Sequence, residues 1–373
     1  SHKIMNKKFF EVYFDCGSSK IRAGAFSKDD PKKSFHHESQ FFSDHSNIDI
    51  EIQKIISRLE ENTNEYLDDI SLMIDSSKML SIGISISKKL DGAKLRKEDI
   101  QFLIQDAKQQ LLRNHLNQNI VHIIIKNYKI NDIVYTFLPE NIDCNLISID
   151  ILFICIPKDE IEYFKKLFFK LKISINNIFC ASYVKSINYK ENFSLINNLS
   201  FIDIGFNKTS INCFIKNEIS FLDVIPIGGN HITKDIANVL KVNMNEAENL
   251  KLSFDTNQEI LDQKKISLYL IQQIIFARIE EILELSIKSI KLNLPMLNQH
   301  QIILMGEGSK ILNNKFKEKI TLLNDIDLLE EKVEDICQSA FKQAARLNKQ
   351  EVVIIPKKQT KKRFFEKLFH FLH

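Results

Sequence analysis

A chain of 373 residues, 44% of them hydrophobic, has enough apolar content for more than one core and reads as two or more lobes. Its formal charge of +3 is unevenly placed: residues 356–373 hold six lysines and arginines against Glu366, a local +5, so the rest carries −2 and offers no footprint for a nucleic-acid backbone. Cys16, Cys144, Cys155, Cys180, Cys213 and Cys337 form no Cys-x-x-Cys pair and sit mostly in apolar runs, as reduced core thiols in the cytoplasm do; the apolar start is broken by Glu11 and Asp15, which excludes a secretory leader, and no run of about 18 apolar residues is present to span a bilayer.

Residues 9–15 and 21–26 are strand-like and joined by Gly17, Ser18 and Ser19, the pattern of a hairpin. His36 and His37 follow in a polar stretch that reads as surface loop, with no further ligand at metal spacing. A helix over 49–66 and a strand over 70–74 come next. From about 81 to 157 the chain has its own helix (97–113) and several strands, which reads as an insertion; helix 158–170, strand 173–179 and helix 181–189 then resume the first lobe. A second lobe starts near Leu199, runs through strands to Ile227, and meets Gly228 and Gly229 before a long helical section ending near Leu294. Strand 301–305, a glycine turn at 306–308 and a helix over 331–347 complete it, and 356–362 is a charged linker. The expected units are therefore 5–80 and 158–198 for the first lobe, 81–157 for the insertion, 199–228 and 301–355 for the second lobe, 229–300 for a small subdomain, and 356–373 for linker and tail.

Residues 15–26 (DCGSSKIRAGAF) and 203–214 (DIGFNKTSINCF) have equal spans, each opening Asp-x-Gly, closing on Phe and leading into more strand. A repeat at this distance predicts two related α/β lobes facing each other, since a solenoid would repeat far sooner. An Asp-x-Gly turn lets backbone N–H groups approach a phosphate, because glycine has no Cβ, while the Asp organises a hydrated Mg²⁺; Asp15 and Asp203 take that role through water, and Ser18, Ser19 and Lys20 add donors and charge. A third turn, MGEGS at 305–309, offers backbone to an adenine or ribose. Glu248 and Lys251, three apart on a helix, reach ribose hydroxyls if they face the cleft and form a solvated surface pair if they do not.

With these turns on the page, the chain resembles the actin and Hsp70 superfamily, and within it the FtsA family of bacterial division proteins. The most specific stretch is IPIGGNHITKDIANVLKVNMNEAENLK, residues 225–251, and the order of phosphate turn, insertion, second turn, GGNHIT, ARIEEILEL, glycine turn and amphipathic tail extends the resemblance over nearly the whole chain. It implies an actin-like, ribonuclease H-like two-lobed ATPase fold with an FtsA-type inserted subdomain. It implies that Asp15, Gly17, Ser18, Ser19 and Lys20 hold one side of ATP and Mg²⁺, and Asp203, Gly205, Asn207, Lys208 and Thr209 the other. Gly228, Gly229, Glu248, Lys251, Gly306, Glu307, Gly308 and Ser309 would lie around the nucleoside. The chain departs from the family where its second turn should be glycine-rich and end in Asp: it has Phe206, Asn207, Lys208, Thr209 and Ser210. Residues 173–190 contain no Asp or Glu, and Glu307 replaces a glycine. Without a carboxylate to orient water, a nucleotide-gated scaffold is expected rather than a working enzyme.

In the tail, Phe364, Phe365, Leu368, Phe369, Phe371 and Leu372 fall within one arc of roughly 160° at helical spacing, with Arg363, Glu366, Lys367 and His370 opposite. Together with Lys361 and Lys362 this is a basic amphipathic helix suited to anionic inner-membrane lipid. The resemblance implies that the small subdomain binds the C-terminal peptide of the tubulin-like protein FtsZ, with Arg278 of ARIEEILEL on that surface. It also implies self-assembly into filaments, other division partners at the insertion, and a place on the cytoplasmic face of the inner membrane at the division site. Two other readings stand beside it. The actin-like component of a type IV pilus platform would share the insertion but not need the tail; a sugar kinase or Hsp70-like ATPase would need a catalytic carboxylate at the second turn.

Overall fold

The computed structural model describes residues 8–30, 32–253, 267–294, 300–312, 318, 320, 325–345 and 351–352. The chain opens with β1 (Phe10–Cys16), β2 (Ile21–Ser27) and β3 (Ser34–Glu38), then α1 (Ile48–Thr63) and β4 (Asp69–Ile74). Every residue of β2 is buried, as expected of a strand covered on both faces. On α1, Ile48, Ile52, Ile55, Ile56 and Leu59 recur at helical spacing and form its buried stripe; Asn64, at φ 54°, ends it by donating its N–H to the Glu60 carbonyl. His36 and His37 lie on β3, paired with Gly24 and Ala23 of β2, and not in a loop: ladder pairing supplies the strand that their polar sequence does not announce. The His36 ring packs edge-on against Phe26, 5.3 Å between centroids.

The insertion consists of β5 (Leu80–Lys94), α2 (Lys97–Asn114), β6 (Gln118–Ile130), β7 (Ile133–Tyr135) and β8 (Asp143–Pro157). β8 pairs antiparallel with both β5 and β6, and α2 covers the sheet through Ile100, Leu103, Ile104, Ala107 and Leu111. Then α3 (Lys158–Lys170), β9 (Ser174–Cys180) and α4 (Ala181–Lys190) return to the first sheet, whose order is β3-β2-β1-β4-β9.

The second lobe repeats that plan. β10 (Leu199–Ile204), β11 (Thr209–Ile215) and β12 (Glu218–Ile225) lead to α5 (Gly229–Leu240), α6 (Met244–Ser253), α7 (Leu268–Asn293), β13 (Gln301–Met305), β14 (Ile326–Leu328), α8 (Val333–Ala345) and β15 (Glu351–Val352). Its order, β12-β11-β10-β13-β14, matches the first strand for strand, with the same antiparallel hairpin and the same parallel neighbour beside the central strand. The repeated hairpin in the sequence thus corresponds to two lobes of one topology.

Three cores hold this together. One lies between α5, α6, α7 and the second sheet, and one inside the insertion. The third is the first lobe's core, which also takes in Phe201 and Phe214 of the second sheet and Ile336, Cys337 and Ala340 of α8. Although α8 follows the second sheet in sequence, it docks on the first: Phe341 stacks on Phe26 at 4.6 Å and meets Tyr13 edge-on. The lobes are therefore joined by packed apolar side chains. All six cysteines are buried and free.

Candidate functional site in the interlobe cleft

The two Asp-x-Gly turns close in the same way. Gly17 N–H donates to the Lys20 carbonyl at 3.1 Å, and Gly205 N–H to the Lys208 carbonyl at 2.8 Å. A Cβ on either glycine would sit 3.0 Å from that lysine carbonyl oxygen, tighter than an ordinary contact. The shared lysine in sixth position is a sequence signal that the Asp-x-Gly pattern alone passes over.

The second turn is braced by the glycines of its own lobe. Gly229 N–H donates to Gly205 O at 2.9 Å and Asn230 N–H to Phe206 O at 2.7 Å. A Cβ at Gly228 would lie 2.5 Å from Gly205 O, and one at Gly308 2.4 Å from the Ile204 Cγ2. Gly306 adopts φ 96°, and a Cβ there would press on Asp203 Oδ1. Gly228, Gly229 and the Gly306–Ser309 turn thus converge on Gly205 because backbone must pack on backbone. Ser309 Oγ donates to Gly306 O and Thr209 Oγ1 to Ile227 O, both at 2.7 Å. Asn230 Nδ2 reaches the Asn207 side-chain oxygen at 3.3 Å.

Glu248 and Lys251 belong to this cluster too. They are 6% and 4% exposed, with Lys251 Nζ at 2.9 Å from Glu248 Oε2, 3.0 Å from Thr233 Oγ1 and 3.2 Å from Gly229 O. The reading of a solvated surface pair is corrected: packing of α6 on α5 buries the pair, and burial lowers the Lys251 ammonium despite the opposing pull of Glu248.

Across the cleft the lobes meet through charges that no sequence motif announces. Lys208 of the second turn bonds at 2.9 Å to Asp75, just after β4, and at 2.6 Å to Ser210 Oγ. Lys185 on α4 lies 3.0 Å from Asp203 and 3.0 Å from Glu331, which also accepts from Tyr189. Arg22 pairs with Glu307 of the third turn, stands 3.5 Å from Asp15 and 3.4 Å from Glu38, and Lys20 lies 4.0 Å from Glu307. Phe41 meets Phe206 edge-on at 5.4 Å.

These pairs set the electrostatics. Burial pushes the Asp15 carboxyl up to about 6, although Arg22 and Lys185 pull the other way. Burial would raise Asp75 as well, but Lys208, Lys185 and the Ser182 N–H together hold that carboxyl below its ordinary range. Burial likewise opposes the Glu307 carboxylate, and Arg22, Lys310 and Lys20 together keep it low. Burial would lower the Lys185 ammonium; Asp203 and Glu331 hold it well above the ordinary lysine range.

The bare-backbone turns and the lysine beside each suit a phosphate. The two carboxylates expected to organise a hydrated Mg²⁺ are otherwise engaged: Asp15 faces Arg22 and Asp203 faces Lys185, so a divalent ion there would stand against two side-chain cations, and the site does not fit one. Arg278 on α7 is partly exposed and paired with carboxylates of its own subdomain. Its Nε and Nη2 grip the Asp235 carboxylate of α5 at 2.8 and 2.9 Å, and Nη1 takes Glu281 at 2.8 Å. The tail residues Lys361, Lys362, Arg363, Phe364, Phe365, Lys367, Leu368, Phe369, Phe371 and Leu372 lie outside the described residues. Among the described residues no helix is long and apolar enough to cross a membrane.

Comparison with known proteins follows the same lines. Residues 200–360 match the family model of cell division protein FtsA. The cell division protein FtsA of Agrobacterium fabrum is 21% identical over 252 residues, covering 63% of this chain and 56% of that protein, so the chain matches little more than half of that relative's length. The FtsA of Buchnera aphidicola subsp. Acyrthosiphon pisum is 22% identical over 370 residues, covering 87% of this chain and 85% of that protein. Among solved structures, a chain of a PilM-PilN type IV pilus biogenesis complex aligns over 97% of this chain and 95% of its own with a TM-score of 0.59 at 11% identity, a likeness of actin-like fold alone.

Proposed function

We propose that this chain, an actin-like protein which its matches make a relative of the FtsA cell-division proteins, is a scaffold of cell division that holds ATP between its lobes without working as an ATPase, forms filaments, and ties FtsZ to the cytoplasmic face of the inner membrane. The observation that carries the nucleotide part is the pair of identically closed glycine turns, one per lobe, each with a lysine at its end. The same cleft argues against turnover. Asp203, the carboxylate of the second turn, holds Lys185, and a carboxylate so engaged is a poor base for an attacking water. We expect a fluorescent ATP analogue to bind and the turnover rate to fall orders of magnitude below the ~1–100 s⁻¹ of a kinase; turnover in that range would sink the scaffold reading.

The anchoring part rests on residues 361–372, whose pattern is a basic amphipathic helix. A version ending at Gln359 should stay in the supernatant when anionic vesicles are sedimented, while the full chain pellets with them; equal pelleting of the two would end this part of the reading. The FtsZ peptide would dock on the small subdomain, where its acidic groups exchange with Asp235 for the guanidinium of Arg278. The type IV pilus reading has only the shared fold behind it, and no residue in the cleft favours it.

A further inference from the structure

The cleft cations are each matched by a carboxylate from the opposite lobe. Lys208 of the second lobe is held by Asp75 of the first and Arg22 of the first by Glu307 of the second, while Lys20 lies 4.0 Å from Glu307 and 3.8 Å from Glu38 of its own lobe. The side chains of Lys208 and Asp75 are 11% and 15% exposed and that of Arg22 7%, so these are largely desolvated pairs, and removing one partner leaves the other's charge uncompensated. A carboxylate and a phosphate oxygen present the same thing to an ammonium or guanidinium: a negative oxygen at hydrogen-bond distance. Lys20 and Lys208 end the two glycine turns, where a polyphosphate's charge would fall. Asp75 and Glu307 therefore occupy, toward those cations, the role of phosphate.

We propose that the cleft is latched by its own carboxylates: Asp75 on Lys208 and Glu307 on Arg22 and Lys20 hold the two lobes together without a nucleotide, and a nucleoside polyphosphate enters by exchange, taking Lys208 from Asp75. The exchange half rests on the nucleotide reading above; the latch half does not. The latch makes the joined state the resting state of the free protein. It also sets the site's affinity below that of a cleft whose lysines face open solvent, because phosphate can reach each lysine only by breaking an ion pair already made. Lys208 is the residue that exchanges, since its second partner, Ser210 Oγ, stays with it on the same lobe. Arg22 keeps Asp15 and Glu38 beside it when Glu307 is displaced, so its exchange leaves no bare charge.

The test compares the full chain with Asp75→Asn and, as a second variant on the other side of the cleft, Glu307→Gln. Lobe separation is read from small-angle scattering without nucleotide, and affinity from titration of a fluorescent ATP analogue. The full chain should keep the same radius of gyration with and without ATP. Both variants should expand without nucleotide and contract when ATP is added, and Asp75→Asn should bind the analogue about tenfold more tightly, because the lysine no longer leaves a charged partner to meet phosphate. Folding is checked by circular dichroism, and Glu307→Gln carries the test if Asp75→Asn does not fold. Variants that expand while no protein binds the analogue would support the latch and remove the nucleotide reading. Variants that bind ATP no more tightly than the full chain and show its dimensions would overturn the latch and leave the nucleotide reading standing.

Discussion

Lys185→Met is expected to destabilise the protein by about 3 to 5 kcal/mol, a shift large enough to read directly from the midpoint of a urea titration. The size follows from what the side chain leaves behind. Lys185 is buried on α4, and its ammonium is shared at 3.0 Å by Asp203 of the second lobe and Glu331 ahead of α8. Methionine fills a similar volume, so packing changes little, but two buried carboxylates then face each other with only the Tyr189 hydroxyl on Glu331 in support. Adding Asp203→Asn should recover part of the loss by removing one of the stranded charges. A cost below about 1 kcal/mol for Lys185→Met would mean that water reaches this cluster and screens its charges.

Asp15→Asn should do the opposite and stabilise the protein at neutral pH. The folded carboxyl binds its proton more tightly than the unfolded one, with its pKa moved from the ordinary 3.8 to about 6. Such a group favours the folded state fully below about 3.8, loses that contribution as the pH rises through the interval up to about 6, and above it leaves the fold weaker by about 3 kcal/mol, since the buried charge must be kept. Asparagine removes the charge, while Arg22 retains Glu307 and Glu38. The gain should therefore be largest above pH 6 and shrink toward nothing near pH 4. Asp75 and Glu307, whose carboxyls are held low, contribute in the other sense: their stabilisation is present above the ordinary carboxylate pKa and is lost as acid protonates them. A gain from Asp15→Asn that did not change between pH 4 and 7 would show that the effect is not one of charge.

The two lobes were legible because their hairpins are local. Two strands and a tight turn fit within a dozen residues, so their repetition, and with it the matching sheet orders, can be found by reading along the chain. α3 was readable to its ends for the same reason: Pro157 opens it, and Ile161, Phe164, Leu167 and Phe168 mark its buried stripe. The cleft's charges follow no such rule. Asp75 and Lys208 are 133 positions apart and Arg22 and Glu307 285, and a pair formed by bringing two lobes together imposes no spacing on either partner's neighbours. Sequence points for a catalytic carboxylate to the second turn itself and to residues 173–190, whereas Asp75 reaches that turn from the other lobe. Glu248 and Lys251 show the converse limit. Three-residue spacing on a helix is the same whether the face is wet or buried, and only α5 lying over α6 decides it.

The short β15 sets how a pull on the C-terminus would be carried. Glu351 and Val352 pair with Ile124 and Ile123 on β6, so β15 lies on the sheet of the insertion and not on that of the lobe it follows in sequence. A ladder of two residues offers little resistance, about 1 kcal/mol for each hydrogen bond. Under tension it would peel away first, and the load would next reach α8, clamped by Phe341 against Phe26 in the first lobe. The insertion's edge would thus act as a mechanical fuse, yielding before force reaches the sheet that carries the second turn.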